Sequence, residues 1–326
     1  DFHARNQPYK GSKKDSVTGE PVYYWVGGAG SLTGYLNKYR TPNSLVLNAG
    51  DDFQGTPISN FTRGKSQIEI MNSYNIDAFV LGNHEFDYSQ YSLDSALALA
   101  KFDYLSSNVY MQSQNKLMGK PYVIKEINGV KFGIIGLTLP DLFETSLPAN
   151  VTDLVMLNVD SVLSVNINEV KSKGADVVVL LSHSGLDEDK KIAEKFFADI
   201  DVIVGGHSHT TLFKPVRKNG VVIVQAGSYG RNLGKLDLKI DTEKDTVADS
   251  YGTLIETVLD SAIYDKNAAD KTIREVMGKP YPIVKMGTAI EAVSKLFTKE
   301  NQAVLIDLGN GKHHIITKYD IIGTIK

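Results

Sequence analysis

DVVVLLSHSGLDEDKKIAEKFFADIDVIVGGHSH, residues 176–209, contains the fold in miniature. Asp176–Leu181 is a short apolar run rich in Val, which reads as a buried strand. The spacing over Asp189–Phe197 reads as a helix, opened by Asp187 or Glu188. Val202–Val204 is a second strand. Strand, helix and strand in succession imply an α/β arrangement with covered sheets. Each strand runs into histidine: His183 after the first, then Gly205-Gly206-His207-Ser208-His209 after the second. In open α/β sheets, ligand sites form outside the carboxyl ends of the strands. Both strands therefore deliver imidazoles to one edge.

The same alternation extends over residues 1–241. Further strands are expected at Leu45–Leu47, Ala78–Leu81, Lys131–Leu137, Val221–Gln225 and Leu236–Ile240, with helices at Gln67–Tyr74, Leu93–Lys101 and Val162–Lys173. The last two strands look antiparallel, so a mixed sheet is expected. At 326 residues, the chain suits one large domain or a large domain plus a small one. Hydrophobic residues at 42% and charged residues at 22% are those of a soluble globular protein with room for a substantial core. The net charge of -3 argues against bulk attraction to nucleic acid or an anionic membrane. No apolar run approaches a membrane span. Cysteine is absent, which excludes disulfides and thiolate metal sites.

The histidines carry the functional reading. The chain has seven, and five lie at or beside expected strand ends: His3, His84, His183, His207 and His209. Asp51, in Gly50-Asp51-Asp52-Phe53-Gln54, also follows an apolar strand. Imidazole and carboxylate without thiolate suit zinc, manganese, iron or cobalt better than calcium. A carboxylate can bridge two cations, whereas a histidine cannot. Two such ions would clamp a phosphoester and lower the pKa of a bridging water. The glycines before Asp51, Asn83 and His207 permit tight turns that aim these side chains at one point.

The order Asp1-x-His3, Gly50-Asp51-x-x-Gln54, Gly82-Asn83-His84-Glu85, Ser182-His183-x-Gly185 and Gly205-Gly206-His207-Ser208-His209 resembles the signature of the calcineurin-like metallophosphoesterases. Longer stretches (Ala49–Thr56, Gly82–Asp87, Gly133–Leu137 and Gln225–Leu236) resemble the 5′-nucleotidase branch. The resemblance implies a layered sandwich of mixed sheets flanked by helices. It implies one metal on Asp1, His3, Asp51 and His209, and another on Asp51, Asn83, His183 and His207, with Asp51 as the bridge. His84 would face the substrate, stabilising phosphoryl charge or protonating the leaving oxygen, with Asp87 orienting it. Arg231 either meets the phosphate or covers the sheet.

Two departures from the resemblance stand out. Family members carry a strand leading into Asp-x-His; its absence here is expected to loosen Asp1 and His3. The large C-terminal domain of 5′-nucleotidases does not fit in the residues after Asp241. A linker is expected over residues 242–271. Residues 272–326 resemble a single cystathionine-β-synthase (CBS) motif: strand Tyr281–Val284, helix Ala289–Phe297, strand Ala303–Asp307, an Asn310-Gly311 turn, strand His313–Ile316 and helix Lys318–Ile325. Thr317 and Asp320 match its ribose-binding element, or else cap a helix. Ile290, Val293 and Phe297 form one apolar face, so a homodimer through this unit is expected. The two halves belong to families that rarely meet, which leaves a truncated or composite chain open.

The reading is a metal-dependent phosphoester hydrolase acting on nucleotides. The alternatives are a phosphodiesterase or sugar-phosphate phosphatase, and an adenylate-sensing protein with an impaired phosphatase domain. The nucleotidase resemblance favours a periplasmic or extracellular location, and the CBS-like tail a cytoplasmic one.

Overall fold

The structure, a computed structural model, describes residues 1–243, 246–259, 282–297, 303–309 and 313–317. The chain divides into two compact units, Asp1–Tyr264 and Asp265–Lys326.

In the first unit, β1 (Tyr9–Lys14) and β2 (Pro21–Val26) form an antiparallel hairpin, followed by helix α1 (Ala29–Tyr39). β3 (Leu47–Asn48), β4 (Ala78–Val80) and β5 (Asp103–Leu105) form a parallel sheet. Helices α2 (Pro57–Thr62), α3 (Lys65–Asn72) and α4 (Gln90–Leu97) lie between them in sequence. β6 (Val109–Met111) and β7 (Lys116–Leu117) begin a small antiparallel sheet. β8 (Tyr122–Ile127) and β9 (Val130–Leu137) are antiparallel neighbours joined by a tight turn. After α5 (Leu142–Thr145), β10 (Leu154–Met156) returns beside β6. Then α6 (Val159–Ser172), β11 (Val177–Ser182), α7 (Leu186–Lys195) and β12 (Val202–Val204) alternate, followed by β13 (Val216–Lys218) and β14 (Val221–Val224).

The large sheet has the order β13-β14-β12-β11-β9-β8. Its four central strands are parallel, and both edge strands run antiparallel. A parallel strand covered on both faces reads as an unbroken apolar run, and β11 is buried at every position. Its Val177, Val179 and Leu181 face Ala78, Val80 and Leu105 of the smaller parallel sheet. Val178 and Leu180 face the other way, with Leu163 and Ile167 of α6 and Ile192 of α7. On the far side of the smaller sheet, Phe79 and Leu81 pack with Ile68 and Met71 of α3 and Leu93 of α4. The layers are thus helices, sheet, sheet, helices, which is the sandwich expected.

Several details differ from expectation. Val221–Val224 runs parallel to β12, and its antiparallel partner is β13, whose two-residue turn follows Lys218. Leu236–Ile240 is not in the large sheet. It lies in β15 (Asn232–Asp241), paired with β16 (Thr246–Glu256) in a separate two-stranded ribbon. Within the stretch expected as linker, Thr246–Glu256 is therefore a strand, antiparallel to β15.

The second unit pairs β17 (Ile283–Lys285) in parallel with β18 (Ala303–Asp307), and β18 antiparallel with β19 (His313–Thr317); helix α8 (Ile290–Ser294) lies between β17 and β18. Val293 and Val304 are its buried pair, with Val284, Leu296 and Phe297 packed against them. Of the expected apolar stripe, Val293 is buried and Ile290 stands exposed. Asp320, the Asn310-Gly311 turn and the helix expected over Lys318–Ile325 lie outside the described residues. Thr317 is described only as the last residue of β19.

Candidate metal centre

The carboxyl ends of five parallel strands meet at one edge. β3 leads to Asp51, β4 to Asn83 and His84, β11 to His183, β12 to His207 and His209, and β14 to Gln225. The loops approach so closely that side chains beyond hydrogen do not fit between them. A Cβ on Gly50, whose φ is +90°, would sit 2.8 Å from the Gly82 nitrogen, and one on Gly82 would sit 2.3 Å from Asp51 Oδ1. His3, Asp51, His207 and His209 have φ of 52°, 59°, 68° and 52°. This left-handed backbone is costly for residues with side chains and persists only where surrounding bonds impose it.

Two groups of ligand atoms result: Asp1, His3 and His209 in one, Asp51, His183 and His207 in the other, each within 4.8 Å. In the first, His3 Nε2 lies 3.0 Å from His209 Nε2, and His209 Nε2 3.4 Å from Asp1 Oδ1. In the second, His183 Nε2 lies 3.0 Å from Asp51 Oδ2. Asn83 Oδ1 joins it, 3.1 Å from His207 Nδ1. Asp1 and His3 are not loosely held. Asp1 Oδ1 accepts from the His207 amide at 3.0 Å, the Asp1 carbonyl from the Tyr229 amide at 2.8 Å, and the His3 amide donates to the Asp51 carbonyl at 2.8 Å.

The donor set fits divalent metal. His183 Nε2 is buried and has no hydrogen-bond partner, lying beside Asp51 Oδ2 but outside bonding geometry. Its other nitrogen is held by the Ala49 carbonyl, the usual way a ligating imidazole is oriented. Burial lowers His3 to about 4, and burial also lowers His207 and His209. These rings are neutral near pH 7 and present lone pairs, which is the metal-binding form.

Two buried side chains that sequence reading did not single out hold the loops in place. Glu85 is fully buried and accepts four backbone N–H bonds. Oε2 takes those of Asp51 (2.9 Å) and Gly82 (2.7 Å), and Oε1 those of Asp52 (2.7 Å) and Phe53 (3.2 Å). It ties the Asp51 loop to the Asn83 loop. Gln225 does the same for the histidine pair: Nε2 donates to the Gly206 carbonyl at 3.0 Å, while Oε1 accepts from Ser208 Oγ at 3.0 Å and from the Thr210 amide. The sequence signal for Glu85 was its place inside Gly-Asn-His-Glu; a charged residue there, unneeded as a ligand, must serve another purpose.

His84 stands beside the first group, its ring centre 5.1 Å from that of His3. Its Nδ1 lies 2.7 Å from Asp87 Oδ2. That hydrogen bond raises His84 to about 9 and leaves Nε2 for the cleft. The cleft, of about 650 Å³, is lined by His3, Asp51, Asn83, His84, His207 and His209, together with Arg5, Gln54, Gly55 and Tyr229. Arg231 is not in its lining. Its guanidinium donates to Glu256 Oε1 (2.9 and 3.1 Å) and to Tyr24 Oη (3.1 Å). Of the two roles left open for Arg231, the geometry places it with the ribbon.

The model of the calcineurin-like phosphoesterase family matches residues 1–211. The chain is 32% identical to the 5′-nucleotidase of Rattus norvegicus over 275 residues, 77% of this chain and 47% of that one. It is 33% identical to an apyrase of Aedes albopictus over 236 residues, 64% of this chain and 41% of the other. Among solved structures, the 5′-nucleotidase precursor from Thermus thermophilus matches with a TM-score of 0.68 and 31% identity, covering 79% of this chain and 53% of that chain. The chain spans less than half the length of the rat and mosquito relatives.

Proposed function

This chain belongs to the calcineurin-like phosphoesterase family, and on that premise we propose that it releases phosphate from nucleotides with two divalent metal ions. The observation that carries this reading is the pair of adjoining ligand groups in one cleft, with His84 beside them. Asp1, His3 and His209 would hold one ion; His183, His207 and Asn83 the other, with Asp51 shared. Two ions so held supply charge stabilisation and water activation. Zinc, manganese, cobalt and iron all suit the nitrogen and oxygen donors.

The chain's own residues do the rest. Glu85 and Gln225 fix the ligand loops, so the donors need not reorganise when charge develops. Asp87 fixes the His84 ring and favours its charged form. His84 Nε2 then stabilises phosphoryl charge or gives a proton to the leaving oxygen. The relatives that carry the name 5′-nucleotidase support a nucleotide as substrate. For the C-terminal unit, the CBS resemblance supports adenosine-nucleotide binding at Thr317 and Asp320, and pairing of two chains. Sedimentation of the full chain, and calorimetry with AMP on wild type and Asp320→Ala, test those two points.

The test of the main reading is removal and return of metal. A strong chelator should abolish hydrolysis of nucleoside monophosphates, and manganese, cobalt or zinc should restore it. Asp51→Asn should lower occupancy of both sites and leave almost no turnover. Undiminished turnover in thorough chelation would overturn the reading. A screen that finds diesters or sugar phosphates hydrolysed and nucleotides untouched would replace the substrate.

A further inference from the structure

A row of polar side chains that the motifs leave unassigned runs from the Asp51 loop into the interior. Asp52 and Gln67 are both fully buried, so their polar atoms must find partners within the protein. Asn48 Nδ2 donates to Asp52 Oδ2 at 2.6 Å, and Gln67 Nε2, on α3, reaches Asp52 Oδ1 at 3.5 Å. Gln67 Oε1 in turn accepts from Asn6 Nδ2 at 3.0 Å. Asn48 Oδ1 accepts from the Gly50 amide at 3.0 Å, which closes the loop from Asn48 to Asp52 around Asp51. The row thus joins the Asp51 loop, through α3, to Asn6. None of these four residues lines the cleft.

Asn6 is where the Asp1-Phe2-His3 segment leaves the site. His3 and Ala4 both have left-handed backbone, with φ of 52° and 46°, a conformation that the surroundings must impose. At its start the segment is held by the bonds of Asp1 and His3 to the His207, Tyr229 and Asp51 backbone. At its end the Asn6 carbonyl accepts from the Ala29 amide at 3.0 Å, and the Asn6 side chain is held by Gln67. The first ligand group takes Asp1 and His3 from this segment, whereas the second takes Asp51, His183 and His207 from beyond the ends of β3, β11 and β12. Resting on the two-metal reading above, we propose that Asp52 and Gln67 are positioning residues: through Asn6 they hold the turn at His3 against the Asp51 loop, and so set the metal affinity of the first group separately from that of the second. Without Gln67, the side-chain bond at the exit of the strained turn is lost, and Asp1 and His3 are free to part from His209. Asp51 and His183 keep their own supports, the Glu85 carboxylate and the Ala49 carbonyl.

The test exchanges the two side chains. Gln67→Glu alone sets two carboxylates face to face. Asp52→Asn combined with Gln67→Glu restores a donor to each acceptor with the link reversed, the amide now at position 52 donating to the carboxylate at position 67. Manganese affinity is measured by chelator competition on the full chain with one group disabled at a time, His183→Ala leaving the first and His209→Ala the second. Gln67→Glu should weaken manganese at the first group about 10–100-fold, the loss that follows when the support of a ligand is removed, and leave the second group's affinity unchanged. The exchange should recover most of that loss, a coupling that independent effects of the two changes would not give. Asn6→Ala, at a half-buried position, should weaken the first group in the same sense, and it decides the matter if Gln67→Glu does not fold. Equal losses at both groups would show that the row braces the fold alone, and would overturn the proposal. So would an exchange no better than Gln67→Glu, or a first group unmoved by Gln67→Glu and Asn6→Ala. A wild-type chain that holds no manganese at all would instead overturn the two-metal reading.

Discussion

At the scale of single residues, the proposed roles separate metal holding from substrate chemistry. His84 touches no ligand group through its side chain except by ring packing on His3, and its bond is to Asp87. His84→Ala is therefore expected to keep its metal content and lose on the order of 10²–10⁴ in turnover, the range for a general acid or base. Asp87→Asn should lose less, in the same direction. Metal analysis beside kinetics checks this; loss of metal in His84→Ala would move that histidine into the ligand set. A second residue speaks through pH. Asp189 is buried under the Gly205 turn, with Oδ1 accepting from Ser182 Oγ at 2.6 Å and Oδ2 unpartnered. Burial pushes it up to about 7. The unfolded chain gives up that proton near pH 4, and the folded chain only near 7. Stability from this group is therefore full below about pH 4 and falls as pH rises to 7. Asp189→Asn should remove that slope, on the order of 1–3 kcal/mol between pH 5 and 8. Urea midpoints at both pH values measure it, and an equal difference from wild type at each would refute the assignment.

Elements matter here through the loops at their ends. β3 and β4 are only two and three residues long, so their own ladders fix the Asp51 and Asn83 loops weakly. Glu85 supplies the missing constraint by gathering four N–H groups on one carboxylate. Burial alone would raise its pKa, while those four donors favour the ionised form. Glu85→Gln turns an NH2 toward two of the donors. A loss of about 1–3 kcal/mol in stability is expected from donors left unpaired in the interior. Metal affinity should fall about 10–100-fold, as it does when residues supporting a ligand shell are changed. Chelator competition and denaturant unfolding together test this. A variant with lower stability and wild-type metal affinity would show that Glu85 braces the fold without positioning the ligands.

For the molecule as a whole, the proposed metal centre would couple metal binding to folding. The candidate ligands, Asn83 among them, come from five places spread over residues 1–209, so an unfolded chain cannot assemble either group. Metal held by these groups would bind the folded form and stabilise it by mass action, by about 2.7 kcal/mol when free metal is a hundredfold above the dissociation constant. The melting temperature should rise with added manganese or cobalt and stop rising at saturation. In Asp51→Asn that rise should shrink or vanish. A melting temperature indifferent to metal in the wild type would show that the two groups do not bind it.

Much of this was written in the sequence. His183, His207 and His209 follow runs of Val, Ile and Leu that read as strands of an α/β sheet, so their side chains were expected at one sheet edge. Ligand chemistry and chain order are local properties, and the motifs carried them. Other features depended on contacts between distant segments. The sequence does not show that Glu256 holds Arg231, because that depends on Glu256 pairing with Asn232 across the β15–β16 ribbon. Nor does it show the β1–β2 hairpin, whose exposed Tyr23 and Trp25 break the usual alternation. Glu85 has no assigned role in the sequence motif until four amides from two loops are seen to converge on it. Side-chain identity determined which atoms could bind metal and phosphate; only packing between strands far apart in sequence decided which of them were left free to do so.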